Sequence, residues 1–291
     1  MHVVVEFEAH ALGLIILLCL LLLYLLICYF VQMLKLKKSD HSFQPPSWIP
    51  PLNPPPSSSA ITPPTYQAVA RAINRCKSSS SACPLDQLSI IILKNCPILR
   101  TLLHRIIIQC WSDRVVPDIW KRGVTILIYK KGDTADPANF RPITLQPTWY
   151  KILASVYAAT IYDFLQENKY IDKNLQKGFW KAIDGVSEYT EMLSNLISTA
   201  KREQRSITIA LMDLRNAFGE VHHKLIAEAL KFHHVPVELI DIFKSIYENN
   251  CIAVSLNKKL SQPIRVERGV LQGAQLTSTL QHMFQYIDVD S

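Results

Sequence analysis

The sequence lacks the cysteine and histidine spacing that builds a zinc site. Its seven cysteines are odd in number and widely scattered, and no Cys/His pair follows Cys76 and Cys83 at the spacing of metal ligands. We therefore expect reduced, structural thiols in a cytosolic or nuclear compartment. The pairs His222–His223 and His233–His234 are expected to lie on helix surfaces or to face phosphate rather than to bind metal. The cysteines are Cys19, Cys28, Cys76, Cys83, Cys96, Cys110 and Cys251.

The sequence also has no internal repeat with a period of about 20–50 residues, which argues against a repeat architecture. Its composition is ordinary for a globular protein, with 49% hydrophobic and 19% charged residues, so most of the chain can bury a core. Lysine and arginine number 31 against 24 aspartate and glutamate, which gives a net charge of +7. This excess suits an anionic partner, either nucleic acid or a membrane surface.

Charge is missing altogether from residues 11–34, an apolar run long enough to cross the roughly 30 Å hydrocarbon core as a helix. Glu6 and Glu8 precede the run, whereas Lys35, Lys37 and Lys38 follow it, so the positive-inside rule places the C-terminal part in the cytosol. A cleavable signal peptide would carry its positive charge before the run. We therefore predict a single-pass membrane anchor over residues 1–38. The alternative is that this run derives from a chance upstream reading frame.

Residues 39–66 are rich in proline and serine, with nine prolines between Pro45 and Pro64. Such a segment cannot bury enough apolar surface to offset the entropy of ordering it. A flexible linker is expected, and a ligand for a proline-recognition domain is the alternative.

Beyond residue 66 the apolar pattern changes between helical and strand periods. Helices are predicted in residues 88–111 with a break at Pro97, 148–168, 187–205, about 221–234 and 237–250. Strands are predicted in residues 123–133 and 207–213, and a β-hairpin in residues 251–269. This order predicts an α+β fold with mixed strands rather than a regular βαβ repeat.

The predicted strand "ITIALMD" ends in a single carboxylate, Asp213. A carboxylate that closes an apolar strand costs free energy unless it is solvated, paired or bound to a cation. Mg²⁺ takes one or two carboxylates and fills its remaining positions with water and substrate phosphates. Asp213 therefore fits half of a phosphoryl-transfer metal site, and the alternative is a cap for the helix that follows.

Several blocks of sequence then occur in a characteristic order. They are "PLDQLSIIILK", "VVPDIWKRGVTILIYKKGD", "DPANFRPITL", "LQKGFW", "IALMDLRNAFGEV" and "RGVLQGAQLTSTL". Together they resemble the reverse transcriptase domain of non-LTR (LINE-type) retrotransposons from about Lys77 to Phe284. The resemblance implies a partial right-hand polymerase, with a helical N-terminal extension in residues 67–119 and a fingers and incomplete palm fragment in residues 120–291.

The resemblance also implies the chemistry and the partners. Nucleotidyl transfer in the family uses Mg²⁺ ions, an RNA template, a DNA primer and deoxynucleoside triphosphates. Asp213 is implied as a catalytic metal ligand, with the carbonyl of Leu214 as a further ligand. Phe218 is implied as the ring that excludes a 2′-OH, and its alternative is a core aromatic. The remaining implied nucleotide-binding residues are Lys130, Lys131, Arg141, Gln272 and Gly273. A solvated basic turn is the alternative for the two lysines, and a simple turn for Gln272 and Gly273.

Three departures from the family pattern matter. The block "IALMDLRNAFGEV" resembles the first palm motif, and Gly219 stands where that motif commonly has an aspartate; this aspartate is not a metal ligand in the family, so Gly219 does not itself argue for inactivity. In the next motif, "RGVLQGAQLTSTL", Ala274 stands at a common aspartate position. The sequence "LTSTL" replaces the expected Leu-Ser-Pro. The aromatic-x-Asp-Asp block with the other two catalytic carboxylates is not found in residues 1–291, and "YIDVDS" at Tyr286–Ser291 does not fit it. We therefore expect a truncated polymerase fragment that is inactive as given.

Two other functions compete with this interpretation. One is a membrane-tethered module that binds nucleic acid without catalysis, which rests on residues 11–34, the linker and the net charge of +7. The other is a gene-model remnant without a selected role.

Overall fold

The computed structural model describes residues 51–56, 62–79, 82–172, 184–209, 217–256 and 259–271. Its helices are α1 (Tyr66–Arg75), α2 (Ile90–Asn95), α3 (Pro97–Asp113), α4 (Thr148–Glu167), α5 (Gly185–Arg202), α6 (Ala217–Glu220), α7 (His223–Phe232) and α8 (Val237–Tyr247). Its strands are β1 (Arg122–Tyr129), β2 (Phe140–Leu145), β3 (Cys251–Leu256), β4 (Lys259–Leu260) and β5 (Ile264–Arg265). The predicted α+β class is confirmed.

Helix boundaries follow local signals in the sequence. Pro97 begins α3, where its missing N–H costs nothing. Arg114 ends α3 in the left-handed region at φ 58°. Asp184 caps α5, because its carboxylate accepts hydrogen bonds from the Ser187 N–H at 3.2 Å and the Ser187 hydroxyl at 2.7 Å. The predicted break at Pro97 and the predicted helices in residues 148–168, 187–205 and 237–250 are therefore confirmed.

The strands form one mixed sheet in the order β2-β1-β3-β4, with β5 also paired to β3. β1 pairs antiparallel with β2, so that Ile128 lies opposite Arg141. β1 pairs parallel with β3, from Arg122 opposite Cys251 to Ile126 opposite Ser255. The predicted hairpin is present, since β3 pairs antiparallel with both β4 and β5.

The main hydrophobic core joins the N-terminal helices to the rest of the molecule. Buried side chains of α1–α4 pack with those of α7 and α8 in one cluster. The buried Tyr157 hydroxyl in α4 donates a hydrogen bond of 2.6 Å to the Leu239 carbonyl in α8. Asp86 accepts a bond of 2.8 Å from the Thr148 N–H at the start of α4. A smaller cluster of Ile252, Val254, Ile264, Val266 and Leu271 lies on the sheet.

The predicted strand over residues 207–213 is wrong in its first part. Ser206–Ile209 has no strand conformation and is exposed, with Ile207 and Ile209 each 43% exposed. A strand needs a neighbour for its backbone hydrogen bonds, and the described sheet does not include these residues. The remaining residues of that prediction, 210–213, lie outside the described ranges.

The proline-rich linker contacts the folded domain where the structure describes it. The Leu52 carbonyl accepts a hydrogen bond of 2.8 Å from His234 Nε2. The Asn53 carbonyl accepts one of 2.7 Å from the Tyr170 hydroxyl. Leu52 also packs against the main core. This part of the linker therefore lies on the domain instead of extending freely.

The described cysteines form no disulfide bonds, consistent with the expected free thiols. Burial raises the pKa of the Cys110 thiol to about 11, so that it stays protonated and unreactive near neutral pH.

Among the helices that the structure describes, none combines the length and the apolar character that a membrane span requires. The predicted anchor at residues 11–34 lies outside the described ranges and stays a prediction.

Candidate nucleotide and nucleic-acid interface

The hairpin of β1 and β2 brings together three of the predicted nucleotide-binding residues. The Lys130 N–H continues the strand ladder with a hydrogen bond of 2.8 Å to the Asn139 carbonyl. Because side chains alternate along a strand, Lys130 and Arg141 lie on the same face of this hairpin. Lys131 follows at its tip, and all three side chains are exposed. The fold thus collects three cations at one solvent-facing end of the sheet.

The loop of this hairpin is held by its own polar groups. Gly132 has φ +100°, and a Cβ at this position would lie 2.7 Å from Asn139 Nδ2. The Tyr129 hydroxyl donates a bond of 2.6 Å to the Gly132 carbonyl. Asp133 accepts a bond of 2.9 Å from the Ala135 N–H. The tip is therefore a built turn that holds Lys130 and Lys131 near a fixed backbone, as the Lys-Lys-Gly-Asp sequence predicted.

The cations at the hairpin are available to an anionic ligand. Among the described residues, no carboxylate lies within salt-bridge distance of Lys130, Lys131 or Arg141. Arg141 can grip two phosphate oxygens at once, whereas each lysine acts as a point charge. Sequence reasoning missed Lys259 in β4, an exposed cation next to Leu256 at the same end of the sheet.

The segment after the first palm motif is joined to the segment before Gln272. The Gly269 N–H donates a bond of 2.7 Å to the Val221 carbonyl. Arg268, with its side chain only 3% exposed, pairs with Glu220 at 2.5 Å. His223 Nε2 lies 2.9 Å from the Gly269 carbonyl. We call these contacts the 220–269 junction. Sequence reasoning missed it, because the burial of Arg268 and its pairing with Glu220 depend on tertiary packing.

Gly269 allows the closest approach within this junction. Its φ is +80°, a conformation that favours glycine. A Cβ at residue 269 would lie 2.7 Å from the Gly219 carbonyl oxygen and 3.0 Å from its Cα. The two backbones are therefore in direct contact, which only glycine at 269 permits without displacement.

The expectation of surface imidazoles is wrong for His233, and His223 is only half-exposed. His233 is fully buried, and its Nδ1 lies 2.7 Å from the Ala229 carbonyl. The His223 ring packs 4.3 Å from the Tyr247 ring. Burial lowers the pKa of both imidazoles, so that both are neutral at pH 7. His223 is the first residue of α7, and His233 follows its last residue as the C-cap.

The structure does not describe the side chains of the other predicted site residues. Phe218 is the second residue of α6, and its side chain is not described. Asp213, Leu214, Gln272 and Gly273 lie outside the described ranges. The described residues contain no group of three histidine, cysteine, aspartate or glutamate side chains that could hold a metal. The Mg²⁺ site thus stays a prediction.

Comparison with known proteins identifies a family to which part of this chain is similar. Residues 128–287 match the family described as "Reverse transcriptase (RNA-dependent DNA polymerase)". The match begins inside β1 and includes the basic hairpin and the 220–269 junction.

Three relatives illustrate the similarity. The chain is 33% identical over 156 residues to "Retrovirus-related Pol polyprotein from type-1 retrotransposable element R2" of Nasonia vitripennis, which covers 54% of this chain and 15% of that protein. It is 27% identical to the protein of the same description from Popillia japonica, over 74% of this chain and 30% of that protein. It is 29% identical to "RNA-directed DNA polymerase from mobile element jockey" of Drosophila melanogaster, over 58% of this chain and 18% of that protein. In each case the similarity spans less than a third of the relative's length.

Proposed function

The chain belongs to the reverse transcriptase (RNA-dependent DNA polymerase) family, and on this premise we propose that it binds template–primer and nucleotide for RNA-directed DNA synthesis of the non-LTR retrotransposon type. The observation that carries this proposal is the basic hairpin. Lys130 and Lys131 at the built turn and Arg141 in β2 lie inside the family match, and no carboxylate among the described residues lies within salt-bridge distance of them.

The hairpin cations supply two kinds of phosphate contact. Arg141 binds two phosphate oxygens in a fixed plane and so orients the phosphate group. Lys130 and Lys131 add positive charge that attracts the nucleic-acid backbone or a triphosphate. Asp213 and the Leu214 carbonyl would hold the Mg²⁺ ion that neutralises developing charge on the transferred phosphoryl group.

Nucleotide selection is proposed for residues of the blocks "IALMDLRNAFGEV" and "RGVLQGAQLTSTL". The Phe218 ring would exclude a ribose 2′-OH by steric repulsion. Gln272 and Gly273 would support the templating base. Both assignments come from the family motifs.

We further propose that a polypeptide of residues 1–291 does not extend a primer on its own. Asp213 is the one metal-binding carboxylate that the motifs assign within these residues, and two Mg²⁺ ions about 4 Å apart need more than one. Primer extension on an RNA template checks this. Extension that Asp213→Ala abolishes would show that other carboxylates of this chain complete the site.

Binding of an RNA template annealed to a fluorescent DNA primer tests the proposed function. Replacing Lys130, Lys131 and Arg141 together by alanine should weaken binding by at least about 10-fold at moderate salt, because about three phosphate contacts are lost. The matched control replaces the exposed Lys201, Arg202 and Arg205 by alanine, which changes the net charge equally. Equal loss of affinity in both variants would reduce the effect to net charge and refute a specific hairpin contact.

A membrane tether is a second component of the proposal. It rests on the charge-free run of residues 11–34 and on the lysines that follow it. The nucleic-acid-binding part would then lie on the cytosolic side of a membrane.

A further inference from the structure

The 220–269 junction joins two segments that carry different parts of the proposed nucleotide site. Phe218 lies directly before Gly219 and two residues before Glu220. On the other segment, Gln272 directly follows Leu271. The two segments are far apart in sequence, since Glu220 and Arg268 are separated by 48 residues. Contacts between them therefore hold α6, which includes Phe218, against residues 268–271, which directly precede Gln272.

We infer that Arg268 and Glu220 are positioning residues that set the selectivity of the nucleotide site for deoxyribose. This inference rests on the proposed function, because it assigns a role to residues on either side of the proposed site. Neither side chain is required to touch the nucleotide. Their effect passes through the backbone of α6 and of residues 266–271.

The pair is built to be rigid. The Arg268 side chain is 3% exposed and donates a charge-assisted hydrogen bond of 2.5 Å to Glu220 Oε2. Removing the Glu220 carboxylate would leave the buried Arg268 guanidinium without this charged acceptor, which is costly for a buried charge. The guanidinium therefore resists separation of the two segments.

Two further contacts restrict the same movement. His223 Nε2 donates to the Gly269 carbonyl at 2.9 Å, and the Gly269 N–H donates to Val221 at 2.7 Å. The backbones of the two segments also pair through an isolated antiparallel β-bridge between His222 and Arg268. Without the hydrogen bonds of His223 and Gly269, this bridge would hold the two segments together only weakly.

The segment after Arg268 is anchored on both sides. Val270 is buried in the main core, whereas Leu271 is buried in the small cluster on the sheet. Residues 268–271 therefore cannot move freely, and α6 must follow them through the Arg268–Glu220 pair. A steric gate works only when its ring is held at a fixed distance from the sugar, because a shift of about 1 Å changes such discrimination greatly.

The test compares deoxyribonucleotide with ribonucleotide binding and needs no catalysis. The full chain is bound to an RNA template and a dideoxy-terminated DNA primer, with uracil as the next template base and a divalent cation present. Dissociation of the labelled primer after a heparin challenge is measured with dATP or with ATP. The readout is the selectivity ratio, which is the slowing by dATP divided by the slowing by ATP.

The wild-type chain should give a ratio well above one. Glu220→Gln and Arg268→Gln should each lower it by on the order of 5-fold, and Glu220→Asp should keep part of it. Glu220→Gln is the milder change, since the Glu220 side chain is 41% exposed and the variant should fold.

Asp118→Asn is the matched control. Lys121 is a second buried cation, 3% exposed, paired at 2.8 Å with the partly exposed Asp118. Loss of this pair lowers stability in a similar way, but it joins no segment of the nucleotide site. The control should therefore keep the wild-type ratio.

The outcomes separate the two proposals. A wild-type ratio above one that the junction variants retain, or that Asp118→Asn lowers as much as Glu220→Gln and Arg268→Gln do, would overturn the positioning role and leave the proposed function standing. A wild-type chain that shows no nucleotide effect would overturn the proposed nucleotide site and the positioning role with it.

Discussion

At the scale of single residues, Gly269, His223 and His233 each make a contact that stabilises the structure. Gly269 is the point where the segment of residues 217–223 and the segment of residues 266–271 touch at the backbone. His233 is buried and His223 is half-buried, and in each ring the nitrogen that contacts a carbonyl offsets part of the cost of burial.

Gly269→Ala should destabilise the protein by about 1–3 kcal/mol. Its φ of +80° is unfavourable for alanine, and the new Cβ would lie 2.7 Å from the Gly219 carbonyl oxygen. Urea unfolding measures the loss. Gly185→Ala at the start of α5 is the control and should be neutral or slightly stabilising. Equal stability of the Gly269→Ala protein and the wild type would contradict the backbone contact.

The stability of the protein should fall as the pH drops below about 6.5. Burial lowers the folded-state pKa of His223 and His233 below the unfolded value, so the unfolded chain binds protons that the folded chain does not. The stabilising difference is fully present above the unfolded pKa and is lost as the pH falls toward the folded pKa. Urea midpoints at pH 7.5 and 5.5 check the direction.

His223→Gln should reduce that pH dependence, because glutamine cannot be protonated and its amide can still donate toward the Gly269 carbonyl. A midpoint that rises on acidification, or one that falls equally in this variant, would argue that other groups control the effect.

At the scale of elements, the local pattern of the sequence was sufficient to predict most helices and strand β1. Helices α4, α5 and α8 show their apolar period within a few turns, and Pro97 and Pro236 mark helix starts. The prediction of a strand at residues 207–213 is wrong in its described part, because an apolar run predicts burial but does not specify a strand partner.

Contacts between distant segments could not be predicted from the sequence. The parallel pairing of Arg122 with Cys251 and the Arg268–Glu220 pair depend on tertiary packing. Neither follows from a local period. The family resemblance identified the hairpin cations Lys130 and Arg141, whereas the junction became visible only in three dimensions.

The linker contact gives a prediction at this same scale. Tyr170→Phe removes the hydroxyl that donates to the Asn53 carbonyl at 2.7 Å. Loss of about 1 kcal/mol should accelerate chymotryptic cleavage after Leu52 by about 5-fold under native conditions. Mass spectrometry of the early fragments identifies the cleavage site. Tyr66→Phe, at an exposed ring, is the control, and equal cleavage rates in both variants would contradict a docked linker.

At the scale of the whole molecule, three parts have different physical characters. An apolar N-terminal run is followed by a proline-rich linker, and the linker leads into an α+β domain whose N-terminal helices share a core with the reverse transcriptase match. The net charge of +7 suits the proposed binding of nucleic acid.

The proposed tether predicts that the full chain stays with membranes after extraction at alkaline pH. Replacing Leu22 and Leu23 by arginine should release it, because each charge at the centre of a span costs about 2.5–3.5 kcal/mol. Deletion of residues 1–38 should have the same effect. Recovery of the unaltered chain in the soluble fraction would contradict the tether.

The salt dependence of template–primer binding tests the proposed function most directly. The wild-type chain should lose affinity linearly on a plot of log K against log salt. Replacing Lys130, Lys131 and Arg141 by alanine should reduce the magnitude of the slope by about 2–3, because each phosphate contact contributes about 0.7–0.9. The Lys201, Arg202 and Arg205 control should keep the wild-type slope. Equal slopes for the hairpin variant and the wild type would show that the basic hairpin does not contact nucleic acid.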